Sequence, residues 1–176
     1  MTPCEKIFVG KTPICHRSWY MSEPLFHVVL YQPEIPDNTG AIGRTCVAIG
    51  AKLWLVRPLG FQIDHRRIKR AGLDYWQHLD LEIVDDWENL TERLAGKRFW
   101  FLSKKAETPF TMPLFVKNDV FVFGCESLGL PQSIMEENRT QLLRIPMRQE
   151  ARSLNLSVSV GITLFEANRQ IMLSPR

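Results

Sequence analysis

Residues 145–160 read IPMRQEARSLNLSVSV, and this stretch decides the fold of the chain. An apolar turn with a proline leads into a polar loop, and a Ser-Leu-Asn step then opens a long apolar run. From Leu154 to Leu164, apolar residues alternate with polar or small ones, which taken alone is the period of a β-strand. The residues that follow, 165–172, are helical in character, and the polar members of the alternation are small, as a helix buried on several sides requires. Periodicity alone favours a strand here, so the choice between strand and helix rests on other segments of the chain.

Upstream of this stretch, short apolar runs alternate with segments that carry helix signals. Strands alternating with helices predict an α/β domain with a mostly parallel sheet. Gly50 is predicted to end the first helix, and paired aspartates to open the second. The predicted strands cover residues 26–31, 53–56, 81–84, 98–102, 119–123 and 141–145, and the predicted helices cover 38–50, 85–94 and 131–138.

Length and composition indicate one globular domain. The chain has 176 residues, 45% of them hydrophobic, and a formal net charge of +3. We expect residues 25–176 to form that domain and residues 1–24 to be an N-terminal extension, either disordered or upstream of a working start at Met21. Apolar runs fall short of the ~20 residues that a membrane span needs. The cysteines and histidines lack zinc spacing, which predicts no metal site. The chain is too long and rich in core residues to need disulfides, which predicts reduced thiols and a cytoplasmic protein.

Two further segments carry candidate chemistry. Residues 36–44 read PDNTGAIGR, and residues 121–131 read FVFGCESLGLP, in which the first three residues end a predicted strand. Gly124 would let the backbone approach a ligand closely, and Gly129 would allow a turn forbidden to other residues. The Gly-x-Gly-x-x-Gly motif of dinucleotide-binding folds is missing, and the glycines of residues 40–45 do not have the spacing of a Walker phosphate loop.

In this order and at this spacing, the three segments resemble the motifs of the SpoU branch of the SPOUT RNA methyltransferases, and most closely the small TrmL type. The resemblance covers residues 25–170. It implies an α/β SPOUT fold with a C-terminal deep trefoil knot, in which the segment after Asn155 is a helix. It also implies S-adenosylmethionine as the cofactor, a tRNA partner and a homodimer joined through the C-terminal helix.

The same resemblance implies which residues form the site. Arg44 would act on the reacting hydroxyl, by accepting its proton or by stabilising the alkoxide while a phosphate accepts the proton; a surface or phosphate-binding arginine is the alternative. Asn38 would orient Arg44 or cap its helix, and Glu126 would contact the active site or pin its loop. The resemblance also implies a cofactor-binding set: Leu102, Gly124, Ile145, Met147, Ser153, Leu154 and Asn155. Within this set, helix capping is the alternative role for Ser153, and core packing is the alternative role for the apolar members.

A basic cluster indicates where RNA binds. Residues 65–70 read HRRIKR, so Arg66, Arg67 and Arg70 are candidate phosphate contacts. The implied reaction is methyl transfer to the ribose 2′-hydroxyl of the tRNA wobble nucleotide, position 34. The alternatives are another tRNA or rRNA position, or a knotted RNA-binding protein without turnover.

Overall fold

A computed structural model of the chain describes residues 6–9, 12–15, 23–62 and 74–173. Its centre is a six-stranded sheet in which every pair of neighbouring strands is parallel. The strand order is β5-β4-β3-β7-β6-β8. The predicted mostly parallel α/β fold is therefore confirmed. The strands are β3 (His27–Tyr31), β4 (Lys52–Val56), β5 (Leu81–Val84), β6 (Phe99–Leu102), β7 (Val120–Phe123) and β8 (Leu142–Leu143).

In the described residues, four α-helices connect or follow these strands: α1 (Pro36–Ile49), α2 (Trp87–Arg93), α3 (Gln132–Glu137) and α4 (Leu156–Leu173). Gly50 ends α1 as predicted, with a left-handed φ of 77° and its N–H bonded to Cys46 O. Asp86 caps α2 by accepting a hydrogen bond from Asn89 N at 2.7 Å. The segment whose alternating pattern favoured a strand is helical in the structure, as the resemblance implied.

The start of α4 corrects one expectation. Ser153 lies three residues before the first residue of α4, so the alternative prediction that Ser153 caps this helix is wrong. Asn155 is the cap instead, because its Oδ1 accepts hydrogen bonds from Ser157 N at 2.8 Å and Val158 N at 3.4 Å. These are the second and third amides of the helix, which a capping side chain normally satisfies.

The sheet is buried on both faces, which explains its continuous apolar strands. Alternate residues of β3 point to opposite sides: Val28 packs in the core beneath α1 and α4, while Val29 packs in the core beneath α2 and α3. Ile42 of α1 and Leu164 of α4 are fully buried in the first of these cores. The two helices therefore lie together on one face of the sheet.

The strand order reverses between β3 and β7 at the middle of the sheet. From β3 the chain adds β4 and β5 on one side. The later strands β6, β7 and β8 lie on the other side, with β7 placed between β3 and β6. In open parallel sheets, ligands bind beyond the carboxyl ends of the strands at such a reversal. The loops that follow Tyr31, Leu102, Phe123 and Leu143 meet at that edge.

Part of the N-terminal extension is also described. Strands β1 (Lys6–Val9) and β2 (Thr12–Cys15) pair as an antiparallel hairpin, with Lys6 opposite Cys15. The predicted role of residues 1–24 as an extension to the working domain stays a prediction. No helix in the described part of the chain is both long and apolar enough to cross a membrane.

Candidate active site

A cavity of about 390 Å³ lies at the reversal point of the sheet. That volume is in the range of pockets that hold small molecules and cofactors. Four loops build it, and each follows one of the strands β3, β6, β7 and β8. All seven residues of the predicted cofactor set line it, and so do Asn38 and Glu126. The structure thus brings together side chains from Asn38 to Asn155 that are far apart in sequence.

The loop after β7 forms one wall of the cavity as a tight turn. Gly129 N donates to Cys125 O at 3.0 Å, and Gly129 has a left-handed φ of 74°. Gly124 allows the turn to close, because a Cβ there would lie 2.0 Å from the carbonyl carbon of Gly129. The sequence predicted that Gly124 permits a close approach to a ligand. The structure shows a close approach of the backbone to itself.

Glu126 fastens this turn to the loop after β3. Its Oε2 accepts a hydrogen bond from Glu34 N at 2.8 Å, and its Oε1 accepts from Ile35 N at 3.3 Å and from Asn38 Nδ2 at 2.9 Å. The attachment is reciprocal, because Glu34 accepts hydrogen bonds from Ser127 N at 2.9 Å and from Ser127 Oγ at 2.6 Å. Of the two roles expected for Glu126, pinning the loop has direct structural support, and the residue also lines the cavity.

Asn38 links the same cluster to the C-terminal helix. Its Oδ1 accepts a hydrogen bond from Asn155 Nδ2 at 2.9 Å, while its own Nδ2 donates to Glu126. Asn38 lies in the first turn of α1, which begins at Pro36, so the expected capping role is wrong. Its side chain bonds to Glu126 and Asn155, so no direct contact supports orientation of Arg44 by Asn38. These hydrogen bonds instead join two loops of the cavity, which carry Glu126 and Asn155, through the first turn of α1.

Arg44 lies apart from the cavity within a single chain. It is exposed on α1, and its guanidinium carbon is 4.7 Å from the centre of the Tyr75 ring, a cation–π contact. Tyr75 in turn donates from its hydroxyl to Gly40 O at 2.9 Å. On an ideal helix, Arg44 is about 9 Å along the axis from Asn38. Within a single chain, the predicted catalytic arginine is therefore too far away to contact the predicted cofactor site.

Several lining residues were not predicted from the sequence, among them Ser103, Lys104 and Lys105, which directly follow β6. The rule that parallel sheets bind ligands beyond their carboxyl ends would have pointed to them. The two lysines place positive charge beside Leu102, Ile145 and the other apolar walls. This composition fits S-adenosylmethionine, because its adenine suits an apolar wall and its carboxylate suits an ammonium group.

Other expectations concern metals and RNA. Within the described residues, no three His, Cys, Asp or Glu side chains are grouped so that they could hold a metal ion. The basic cluster with Arg66, Arg67 and Arg70 lies outside the residues that the structure describes. Its neighbours Tyr75 and Trp76 are half-buried, and Trp76 packs so closely that a Cβ on Gly43 would lie 3.2 Å from its ring.

The sheet, its reversal-point cavity and the three motif loops define a class of enzyme, and comparison with known proteins identifies it. Residues 25–165 match the SpoU rRNA methylase family, and the chain belongs to that family. A protein of Methylovorus glucosotrophus named tRNA (cytidine(34)-2′-O)-methyltransferase is 44% identical over 147 residues, which are 83% of this chain and 96% of the relative. A protein of the same name from Saccharophagus degradans is 41% identical over 149 residues, 84% of this chain and 96% of the relative.

Solved structures agree with this assignment. One, described as giving structural insights into the 2-OH methylation of C/U34 on tRNA, has a TM-score of 0.78 and 44% identity, and the match covers 84% of this chain and 96% of that one. Another is an AdoMet-bound rRNA methyltransferase from Sinorhizobium meliloti, with a TM-score of 0.74 and 29% identity; the match covers 87% of this chain and 59% of that one.

Proposed function

We infer that this protein transfers a methyl group from S-adenosylmethionine to the ribose 2′-hydroxyl of tRNA nucleotide 34. The observation that carries the inference is the convergence of all seven predicted cofactor residues on one cavity at the reversal point of the sheet. The sequence similarity to enzymes named for that reaction supports the choice of substrate.

The residues of this chain have separate tasks in the proposed reaction. S-adenosylmethionine, when bound, supplies a methyl group already activated by its sulfonium. Ile145 and Leu102 offer apolar walls for the adenine, and Lys104 or Lys105 offers a cation for the carboxylate. The hydrogen bonds of Asn38 to Glu126 and Asn155 fix the relative positions of the cavity loops, so that the methyl group is presented in one orientation.

Arg44 is proposed to act on the hydroxyl that is methylated. A guanidinium is normally protonated, so its simplest task is to stabilise the developing alkoxide by charge while a phosphate oxygen accepts the proton. Because Arg44 is remote from the cavity of its own chain, we propose that a second copy completes the site. The exposed apolar side chains of α4, Val158, Ile162 and Phe165, would form that dimer contact.

The remaining parts of the proposal concern RNA contact and chain path. Arg66, Arg67 and Arg70 would bind tRNA phosphates. The C-terminal segment would form the deep trefoil knot, and residues 1–24 would be dispensable for the reaction. A tRNA substrate would place the enzyme in the cytoplasm.

The direct test is to incubate purified protein with total tRNA and methyl-labelled cofactor, and to map the label by mass spectrometry of nucleosides. Label on the ribose of nucleotide 34 is the expected result. Label only in rRNA, at another tRNA position or on a base would refute the proposed substrate. Replacing Arg66, Arg67 and Arg70 with alanine should weaken tRNA binding and flatten its salt dependence, by about one unit of log–log slope per lost phosphate contact. Cofactor binding to that variant should be unchanged, which serves as its control.

A further inference from the structure

The turn that closes the cavity presents a large apolar side chain to solvent. Leu128 is 87% exposed, although it lines the cavity, and Ile35 on the facing loop is 44% exposed and lines it too. Single exposed leucines are common on protein surfaces and carry no meaning alone. Leu128 differs from Leu114, which is 80% exposed but lies elsewhere, because it stands on the wall of the candidate active site.

The loops that carry these two side chains are fixed to each other. Ser127, the neighbour of Leu128, donates two hydrogen bonds to the carboxylate of Glu34, the neighbour of Ile35. Glu126 accepts the backbone N–H groups of both Glu34 and Ile35. The two loops that carry Leu128 and Ile35 are therefore fixed relative to each other before any substrate arrives, so ordering these loops costs little on binding.

The position of the reacting hydroxyl determines what reaches these side chains. For methyl transfer, the 2′-oxygen must come within about 3 Å of the methyl group in the cavity. The base of the same nucleotide is attached to the neighbouring ribose carbon, so it must lie at the mouth of the cavity. Lys104 and Lys105 are exposed and also line the cavity, so the one that does not bind the cofactor carboxylate can neutralise an adjoining phosphate.

We propose that Leu128 and Ile35 form an apolar contact surface for the base of the nucleotide that is methylated. An apolar side chain packs against the flat face of a base and reads none of its hydrogen-bonding groups. The surface therefore accepts cytosine and uracil alike, since a hydrophobic contact discriminates poorly between ligands of similar size. This inference rests on the proposed function and adds base-contacting residues to it.

The test uses full-length tRNA assembled from ligated pieces, with cytidine, uridine or an abasic ribose at position 34. Leu128→Ala should lower kcat/KM about tenfold for both pyrimidine substrates. The abasic tRNA should be methylated slowly by the unaltered protein, and no more slowly by Leu128→Ala. Leu128→Phe should restore activity on the pyrimidines. Leu114→Ala is the matched control, since it truncates an equally exposed leucine away from the cavity, and it should leave all rates unchanged.

The outcomes separate the inference from the function on which it rests. An equal loss on pyrimidine and abasic tRNA would refute base contact by Leu128. Weaker binding of S-adenosylmethionine by Leu128→Ala in calorimetry would assign the side chain to the cofactor, and a changed sedimentation coefficient would assign it to a second copy. If the unaltered protein methylates none of the tRNAs, the proposed function itself is wrong and the inference falls with it.

Discussion

Gly124→Ala should damage the cofactor site through a clash of the loop with itself. A Cβ at this position would lie 2.0 Å from the carbonyl carbon of Gly129 and 2.2 Å from Leu130 N, whereas ordinary contacts of a Cβ begin near 3.4 Å. Both atoms belong to the backbone, so no side chain can rotate away. Residues 129 and 130 must move by more than 1 Å, and Leu130 is only 5% exposed.

Two magnitudes follow from that displacement. Overpacking of this kind costs about 2 kcal/mol of folding free energy, which in a chain of this length lowers Tm by roughly 6 °C. If the displaced loop loses about two hydrogen bonds to the cofactor, each contributing roughly 1 kcal/mol, the Kd for S-adenosylmethionine rises about 30-fold.

Calorimetric titration with S-adenosylmethionine and a thermal melt of the same samples would measure both quantities. Cys125→Ala is the matched control, because it alters the next residue of the same loop without adding a Cβ, and its Kd should stay within about twofold of the unaltered protein's. A Gly124→Ala protein with unchanged Tm would show that the loop does not close as described. A lowered Tm with unchanged cofactor affinity would show that the loop is structural and that the cofactor binds elsewhere.

Three further changes test other parts of the structure. Arg44→Ala should reduce methyl transfer by a factor of about 100 or more. The cofactor Kd and the Tm should change little, since only the contact of Arg44 with Tyr75, about 1 kcal/mol, is lost. Wild-type turnover by this variant would remove Arg44 from the reaction. Phe165→Asp, which puts a charge on the exposed face of α4, should give a monomer in sedimentation, and a dimer that persists would place the interface elsewhere. Burial, with help from Lys97 and Lys52, lowers the pKa of His27 from 6.5 to about 4. Between pH 4 and 6.5 the unfolded chain therefore binds more protons than the folded chain. The free energy of unfolding should fall by up to about 3 kcal/mol as the pH drops from 6.5 towards 4. His27→Gln should make this pH dependence flatter in denaturant titrations.

Much of the fold was predictable because its signals are local. Buried parallel strands appear in the sequence as short continuous apolar runs, and the six strands were found within a few residues of their ends. Gly50 and Asp86 marked helix ends correctly, since capping depends on one residue and its neighbours. The C-terminal helix was the exception. Its polar residues are small and its apolar ones alternate, so periodicity alone favoured a strand and only the family resemblance indicated a helix.

The roles of individual site residues were less predictable because they depend on distant partners. Asn38 was expected to cap a helix or orient Arg44, but it bonds Asn155, a residue 117 positions away. Glu34 carried no sequence signal, yet its carboxylate holds the cavity turn through Ser127. Periodicity and spacing report which residues share an element, and they do not report which loops of different strands meet at one edge of a sheet.

The span of the cavity along the chain has a consequence for synthesis. Its lining begins at Ile35 and ends at Ser159, and the bond between Asn38 and Asn155 joins the first helix to the last. A nascent chain still attached to the ribosome cannot assemble this site until α4 has emerged and packed against α1. Cofactor binding therefore becomes possible only after α4 has been synthesised and has packed in place, and the bound cofactor would then stabilise the assembled fold over any incomplete one.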